Sequence, residues 1–304
     1  MSRVLVTGAT GFIGRILVPA LAAAGYDVRA AVRQKPAPFA SPVEVAAQGD
    51  LAAHVDWQPL MADVDFVVHL AGIAHTGSRF AKVRYDRVNH VATAALAEAA
   101  RQARVKRVVF VSTIRAQSGP RSDYILTEDD APRPTDPYGR SKLAAEMALA
   151  RSGADCTVLR PVLVYGPGVK GNLRALVRLA ALPVPLPFGA FTNLRSVLSV
   201  HNLVAAITHV LRHAASSGQT YVVADLKPLS LADIVTALRA GLGKAPRLLA
   251  TPPGLIRVGL AMLGRSSSWD QLNGQLVVDP DKLIAAGWRP DPDTTSGLAA
   301  MARE

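Results

Sequence analysis

A tyrosine and a lysine stand four residues apart in "DPYGRSK" (136–142), directly after a proline. Residues at this spacing lie on one face of a helix, so a helix that begins near Pro137 projects Tyr138 and Lys142 together. A nearby ammonium stabilises a phenolate, and the pair predicts that the pKa of Tyr138 falls from about 10 toward neutrality. Such a tyrosine can exchange a proton with a substrate oxygen. An exposed pair on a helix has the same spacing, so the surrounding elements must decide between the two interpretations.

Thr113 supplies a third polar group, at the end of the apolar segment "KRVVFVST" (106–113). Ligands bind at the carboxyl ends of parallel strands, so the Thr113 hydroxyl is expected beside Tyr138, where it can hold the same substrate oxygen. The alternative role is a backbone cap at the strand end. With Tyr138 and Lys142, Thr113 is predicted to form a catalytic triad.

Strand-like and helix-like patterns alternate from residue 3 to about 166. Apolar runs such as "RVLVTGA" and "VDFVVHLAG" are typical of buried parallel strands. "FIGRILVPALAAAG" has helical periodicity and ends at Gly25, a good helix terminator. The alternation predicts an α/β fold, a Rossmann-type doubly wound parallel sheet with helices on both faces.

The texture changes after Gly166, where "LPVPLPFGAF" (182–191) carries three prolines and the remaining chain mixes short strands with helices. We predict a first domain over residues 1–166, with a returning segment near 195–225. Residues 167–304 are predicted to form mainly a smaller, mixed α/β lobe.

Three glycines, Gly8, Gly11 and Gly14, stand in "TGATGFIG" at the first strand–helix junction. Glycine lets the backbone approach a pyrophosphate, and the following helix offers unpaired N–H groups and a positive dipole. A tight packing turn without a ligand is the alternative. Because the pattern sits between a strand and a helix of a βαβ unit, it predicts a dinucleotide site that includes Phe12 and Ile13.

The end of the second strand decides between two cofactors. NAD sites usually place an acid there, near position 32, for the adenosine ribose hydroxyls. This chain has Val32 and Arg33, and no carboxylate occurs from 28 to 43. An arginine can pair with the 2′-phosphate of NADP, so NADP is favoured over NAD. The alternative is a surface arginine beside an NAD site that lacks the acid.

Composition excludes several classes of partner. The net charge is +11 and the pI about 10.2, but the basic residues form no run of five and aromatics make up 5 % of the chain, which argues against nucleic-acid binding. No segment approaches about 18 uncharged apolar residues, so no membrane insertion is expected. "PPGLIRVGLAMLG" (252–264) fits a packed amphipathic helix or a segment that touches a membrane. A single cysteine and the lack of a signal-peptide pattern predict a cytoplasmic location.

Taken with these motifs, the chain resembles the extended short-chain dehydrogenases/reductases, in the branch of nucleotide-sugar epimerases, dehydratases and 4-ketoreductases. The matching segments span nearly the whole length and include "TGATGFIG", "VVHLAG", "VNHVAT", "YGRSK" and "LRPVLVYGPG". The resemblance implies an NAD(P)-dependent enzyme, a nucleotide-sugar substrate and a homodimer formed through two helices of the first domain. His90 and Ala92 depart from the family's Val and Gly beside Asn89.

The resemblance also implies further site residues. On the cofactor side these are Asp50, Leu51, Leu70, Ala71 and Asn89, with Asp50 placed to meet the adenine amino group. In the second lobe, Asn172 and Arg195 match residues that contact the substrate diphosphate. A loop-capping Asn172 and a solvated Arg195 are the alternatives, and Lys170, Asp225 and Trp269 are further candidates for the pocket lining.

Three reactions share this scaffold. Dehydratases carry Asp-Glu directly after the catalytic threonine, and Ile114 and Arg115 stand there instead, which argues against a dehydratase. A reductase would pass a hydride from NADPH to a UDP-4-keto-hexose, with Tyr138 as proton donor. A UDP-hexose 4-epimerase with bound NAD is the second hypothesis. A non-catalytic NADP-sensing protein is the third, and it is disfavoured because Tyr138 and Lys142 are both present.

Overall fold

The computed structural model describes residues 1–34, 39, 42–74, 81–262, 264, 269 and 273–303. The strands are Arg3–Thr7 (β1), Asp27–Val32 (β2), Glu44–Ala47 (β3), Phe66–His69 (β4), Arg107–Val111 (β5), Cys156–Pro161 (β6), Leu163–Tyr165 (β7), Leu194–Arg195 (β8), Val197–Ser199 (β9), Thr220–Val223 (β10) and Leu229–Ser230 (β11).

The α-helices are Gly14–Ala23 (α1), Gln58–Met61 (α2), Ala81–Tyr85 (α3), Ala92–Gln102 (α4), Pro137–Ser152 (α5), Gly171–Ala180 (α6), Val200–Arg212 (α7), Leu231–Gly241 (α8), Pro253–Met262 (α9), Asp281–Ala285 (α10) and Thr294–Ala302 (α11). A π-helical segment, Asp86–Val91, joins α3 to α4, and 3₁₀ turns cover Ile114–Ala116 and Ala214–Ser216. Within the described part of the chain, no helix is both long and apolar enough to cross a membrane.

Seven parallel strands form the central sheet, in the order β10-β6-β5-β4-β1-β2-β3. The predicted α/β fold is therefore confirmed. The strand order reverses between β1 and β4, and in such sheets the ligand crevice lies at the carboxyl ends of these strands. β10 comes from the segment near 195–225 and pairs with β6 at the sheet edge.

Helices cover both faces of this sheet because successive residues of each strand point to opposite sides. Val4 and Val6 of β1 join one core, together with residues of α1 and α7. Leu5 joins the other core, with residues of α4 and α5. This double burial explains why the strand sequences are almost continuously apolar.

The second lobe has a core of its own, to which α6, α8 and α11 contribute. Two small sheets, β8 with β11 and β7 with β9, carry the chain between the lobes. The apolar run "CTVLRPVLVYG" (156–166) predicts one strand, but it is split, because β6 ends at Pro161 and β7 leaves to pair with β9. The boundary at residue 166 stays a prediction.

The segment "YDRVNHVATAALAEAARQA" (85–103) predicts one long helix; the chain is helical from Ala81 to Gln102, but the middle of this stretch is π-helical. A π-helical turn holds one extra residue and is frequent at functional sites. Asn89 lies inside this turn and is almost fully buried.

Candidate active site

Helix α5 begins where the sequence predicts. The Asp136 carboxylate accepts a hydrogen bond from Gly139 N at 2.7 Å, and Pro137 occupies the first helical turn. Arg115 forms an ion pair with the same carboxylate, with Nε at 3.1 Å from Oδ2. Burial would raise the pKa of Asp136, but the bonds from Arg115 and Gly139 outweigh it and lower that pKa. An ionised cap therefore fixes the turn that carries Tyr138.

Thr113 and Tyr138 are brought together. Thr113 is buried at the end of β5, and its hydroxyl is close enough to the Tyr138 phenol to favour the ionised form of the phenol and so lower its pKa. The same hydroxyl accepts a bond from Arg115 N at 3.2 Å, so Thr113 also caps the turn after the strand. The Tyr85 ring packs 5.8 Å from the Tyr138 ring, which limits where the phenol can move.

The expected fall in the pKa of Tyr138 is wrong for this structure. Loss of water around the partly buried phenol raises its pKa to about 12, and the nearby Thr113 hydroxyl only partly offsets this. The phenol therefore carries its proton at neutral pH, which is the form a proton donor requires.

Lys142 is buried and turned toward the sheet. Its Nζ donates to the Val111 carbonyl at 2.8 Å and lies 3.9 Å from the centre of the Phe110 ring. Burial lowers the pKa of Lys142 to about 7, against the opposing charge of Glu146 one turn further along α5. The pKa of Lys142 therefore lies close to neutral pH, whereas the pKa of Tyr138 lies well above it.

A buried ion pair that the sequence reasoning missed supports this helix. Arg160 Nη2 donates to Glu146 Oε2 at 2.6 Å, and both side chains are 7 % exposed. Ser112, next to Thr113, donates to the same carboxylate, and Arg160 also reaches Gln117 Oε1 at 3.0 Å. Helix α5, the end of β5 and β6 are therefore joined directly behind the triad. Glu146 stands four residues after Lys142, and that spacing is the signal that could have revealed it.

The three loop glycines have different functions. A Cβ on Gly8 would lie 2.8 Å from Ala71 N, and one on Gly14 would lie 2.4 Å from Ala9 O, so packing within the protein excludes a side chain at both. A Cβ on Gly11 would meet only the Gly8 carbonyl, at 3.0 Å. Gly11 is exposed, so its missing side chain leaves room for a ligand outside the loop.

This loop and the start of α1 fit an anionic dinucleotide. Phe12 and Ile13 precede the first turn of α1, where N–H groups lack intrahelical partners, and that turn contains no acid. Arg33 follows β2, next to β1 and its glycine loop. It is exposed and makes no hydrogen bond or ion pair with another described residue. Arg29, by contrast, is buried and bonded to Glu44 and to two carbonyls.

The other predicted cofactor residues lie along the same sheet edge. Asp50 follows β3, is exposed, and accepts a bond from Ala52 N at 3.1 Å, while Leu51 is buried. Leu70 and Ala71 follow β4, and their N–H groups donate to the Thr7 carbonyl and hydroxyl respectively. The edge of the sheet is thus built as predicted, whereas the contacts of these residues with a cofactor stay a prediction.

Asn89 acts as a clamp within the protein. Its amide donates to Ile73 O at 3.0 Å and to Ser141 Oγ at 3.0 Å, and its carbonyl accepts from Ile73 N at 2.9 Å. These three bonds fasten the backbone of Ile73 and the side chain of Ser141 to the side chain of Asn89. Asn89 therefore positions the loop after β4 against α5.

A buried histidine, missed in the sequence, connects this clamp to the glycine loop. Thr93 donates to Asn89 O at 2.7 Å, so it accepts from His69 Nε2 at 3.0 Å. His69 Nδ1 then accepts from the Thr7 hydroxyl at 2.6 Å. Burial, helped by the charge of Lys142, lowers the pKa of His69 to about 3, so the ring is neutral. The chain of bonds couples β1, β4 and α4.

A cavity of about 360 Å³ lies at the second lobe. Its lining residues are Arg121, Asp123, Asn193, Trp269, Asn273, Gly274 and Gln275.

Arg195 borders this cavity, because it donates to Gly274 O at 2.7 Å and to Pro120 O at 3.1 Å. Burial, together with the charge of Arg115, lowers the pKa of Arg195. Asn172 is exposed on the first turn of α6 and is not among the described lining residues. Asp225 is buried as the acceptor of Asn202, Ser199 and Tyr165 bonds, so it serves structure rather than the pocket.

Comparison with known proteins places this geometry in a family context. The family model described as "NAD dependent epimerase/dehydratase family" matches residues 4–224. A UDP-glucose 4-epimerase of Vibrio cholerae is 34 % identical over 311 residues, covering 99 % of this chain and 94 % of that protein. A ceramide reductase of Caulobacter vibrioides is 30 % identical over 296 residues, covering 94 % and 86 %. The structure of MoeE5 with UDP-glucuronic acid and NAD has a TM-score of 0.77 at 28 % identity, covering 99 % of this chain and 98 % of that one.

Proposed function

We propose that this chain, a member of the NAD dependent epimerase/dehydratase family and an enzyme of the short-chain dehydrogenase/reductase type, reduces the 4-keto group of a UDP-linked hexose with NADPH. Relatives in this family include both epimerases and reductases, so the family alone does not select the reaction. The choice of reductase depends on one observation, Arg33 at the end of β2.

Arg33 supports NADPH because it is exposed beside the glycine loop, and no acid neighbours it in the sequence. A guanidinium pairs with a phosphate through charge-assisted bonds, and no carboxylate between residues 28 and 43 is present to repel that phosphate or to bind ribose hydroxyls. NADPH is consumed in a reduction and must be exchanged each cycle. A 4-epimerase instead recycles one bound NAD, so a 2′-phosphate site fits the reductase better.

The remaining cofactor contacts follow the sheet edge. We assign Gly8, Gly11, Phe12, Ile13 and Gly14 to the pyrophosphate.

The adenosine end is assigned to Arg33, Asp50 and Leu51, and the segment toward the nicotinamide to Leu70, Ala71 and Asn89. Asn89 would act by holding the loop after β4 in place. The bound cofactor supplies the hydride for the substrate carbon.

Thr113, Tyr138 and Lys142 together deliver the proton to the substrate oxygen. The Thr113 hydroxyl lies near the Tyr138 phenol, so the two hydroxyls can hold one substrate oxygen between them. Tyr138 is protonated at neutral pH and donates its proton to the oxygen as negative charge develops there. Lys142, when charged, stabilises the phenolate that remains.

The substrate diphosphate is assigned to Arg195 and Asn172. A guanidinium fork matches phosphate oxygens, and Arg195 borders a cavity whose size lies within the usual range for small-molecule sites. A UDP group would thus be held beside the triad.

A UDP-hexose 4-epimerase is the second candidate. The Vibrio cholerae relative, which this chain matches over 94 % of that protein's length, is a UDP-glucose 4-epimerase, and MoeE5 was solved with NAD. In this reaction Tyr138 would act alternately as base and acid while the cofactor stays bound. The same triad serves both reactions.

The two candidates are separated by mixing purified protein with NADPH and a UDP-4-keto-hexose and following absorbance of the reduced nicotinamide. The reductase predicts one NADPH oxidised per ketone consumed, and loss of this reaction in Tyr138→Phe. Interconversion of UDP-glucose and UDP-galactose without net redox change would instead establish the epimerase. Binding of NADPH without turnover of either substrate would indicate the sensing protein.

A further inference from the structure

Helix α9 presents an apolar face to solvent. Leu255, Val258 and Met262 are 65 %, 51 % and 82 % exposed. Their spacing of three and seven residues places them on one side of the helix. Ile256, on a different side, packs against the core of the second lobe. The segment that could touch a membrane or pack as an amphipathic helix therefore packs with one face and exposes apolar side chains on another.

Three further segments expose apolar residues in the same lobe. Leu179 at the end of α6, Leu182, Val184 and Leu249 are 40–54 % exposed. We call these four residues and Leu255, Val258 and Met262 the aliphatic face.

One buried arginine ties these segments together. Arg239 of α8 is 1 % exposed and donates to the carbonyls of Leu182 at 2.8 Å, Val184 at 2.6 Å and Pro246 at 2.8 Å. Leu249 N donates to Leu186 O at 2.9 Å, which places Leu249 beside the same loop. Four residues after Leu249 the chain enters α9, so the loop that Arg239 holds leads directly into that helix.

The charge around this face has one sign. Between residues 170 and 262 the sequence contains ten Lys or Arg and two Asp. Asp225 is buried, and Asp233 is bonded to Ser230 in the cap of α8. Exposed Arg178 and Arg257 lie on α6 and α9 themselves. Exposed basic side chains therefore lie on two of the segments that carry the apolar side chains.

We propose that the aliphatic face docks the second lobe reversibly on an anionic lipid surface. Exposed aliphatic side chains with neighbouring arginines are the chemistry by which peripheral proteins bind such surfaces. A protein partner fits less well, since the described residues of this face include no aromatic side chain, and aromatic residues are enriched in protein interfaces. The docking is independent of the proposed reaction.

Sedimentation with vesicles tests this. We expect the full chain to bind vesicles of phosphatidylcholine mixed with phosphatidylglycerol, to bind pure phosphatidylcholine much less, and to be released as salt rises. Leu255→Ser with Val258→Ser should lower the partition coefficient about tenfold. Arg178→Gln with Arg257→Gln should lower it on the mixed vesicles and leave the weak binding to neutral vesicles unchanged.

The matched control is Val83→Ser with Leu226→Ser, one Val and one Leu that are 55 % and 49 % exposed elsewhere. It should bind the mixed vesicles like the unchanged chain. Absence of vesicle binding, equal binding to neutral vesicles, or an equal loss in the control pair would overturn the proposal. So would light scattering that shows a dimer broken by Leu255→Ser with Val258→Ser and not by the control, because the occupant would then be a second copy.

Discussion

Tyr138 and Lys142 share a helix face, but their surroundings act on them in opposite ways. Burial raises the pKa of the phenol to about 12 and lowers that of the ammonium to about 7. Spacing alone identifies the pair, because four residues make about one helical turn. The two pKa values follow from packing against Phe110, Thr113 and Glu146, and no local pattern in the sequence reports on that packing.

The lysine should therefore govern the pH profile of the reduction. Lys142 is charged below its pKa of about 7 and neutral above it, so we expect kcat/KM to fall as pH rises through about 7. Tyr138 stays protonated over this range. Lys142→Arg keeps its charge and should show a lower rate without this inflection. An inflection at the same pH in both proteins would mean that another group is responsible.

At the scale of elements, the start of α5 is packed more tightly than its motif reveals. A Cβ on Gly139 would lie 2.1 Å from the Arg115 carbonyl, so the glycine in "YGRSK" lets the helix touch the turn after Thr113. Likewise, Asn89 matches the family's residue, but its position in a π-helical turn was not predicted. Helical periodicity cannot distinguish one inserted residue from a regular turn.

Gly139→Ala should displace the first turn of α5 and the tyrosine it carries. We expect the free energy of unfolding to fall by about 1–3 kcal/mol from overpacking, and kcat to fall about 100-fold through misplacement of Tyr138. Gly259→Ala is the control, because a Cβ there meets nothing within 4 Å and α9 gains helix propensity. Urea unfolding and steady-state kinetics measure both. Equal, small effects would show that α5 tolerates the shift.

At the scale of the whole molecule, the alternation of strands and helices was sufficient to predict the sheet and both covered faces. The sequence did not reveal the split of β6 from β7, because the partner strand β9 lies about thirty residues further along the chain. The triad and the glycine loop were found because they stand at strand ends. The sequence did not reveal the chain of hydrogen bonds through His69, because Thr7, His69 and Thr93 become neighbours only after folding, and Thr93 then extends the chain to Asn89. The homodimer stays a prediction, and α5 exposes Met147 at 50 %.

His69 should make the stability of the fold depend on pH. Its pKa is about 3 when folded and 6.5 ordinarily, so between these values the unfolded chain binds one more proton and stability rises with pH. When the pH falls from 6.5 to 5, this histidine should lower the free energy of unfolding by about 2 kcal/mol. His69→Asn should reduce the difference in unfolding free energy between the two pH values by that amount. An unchanged difference would show that other groups set the acid sensitivity.

The cofactor is the most direct test of the proposed function. Titration of the purified protein with NADPH and NADH should give the lower Kd for NADPH, and Arg33→Ala should weaken NADPH about tenfold or more while leaving NADH nearly unchanged. Denatured protein should release little bound NAD. Stoichiometric release of NAD, or equal weakening of both cofactors by Arg33→Ala, would contradict the NADPH-dependent reductase and favour the epimerase.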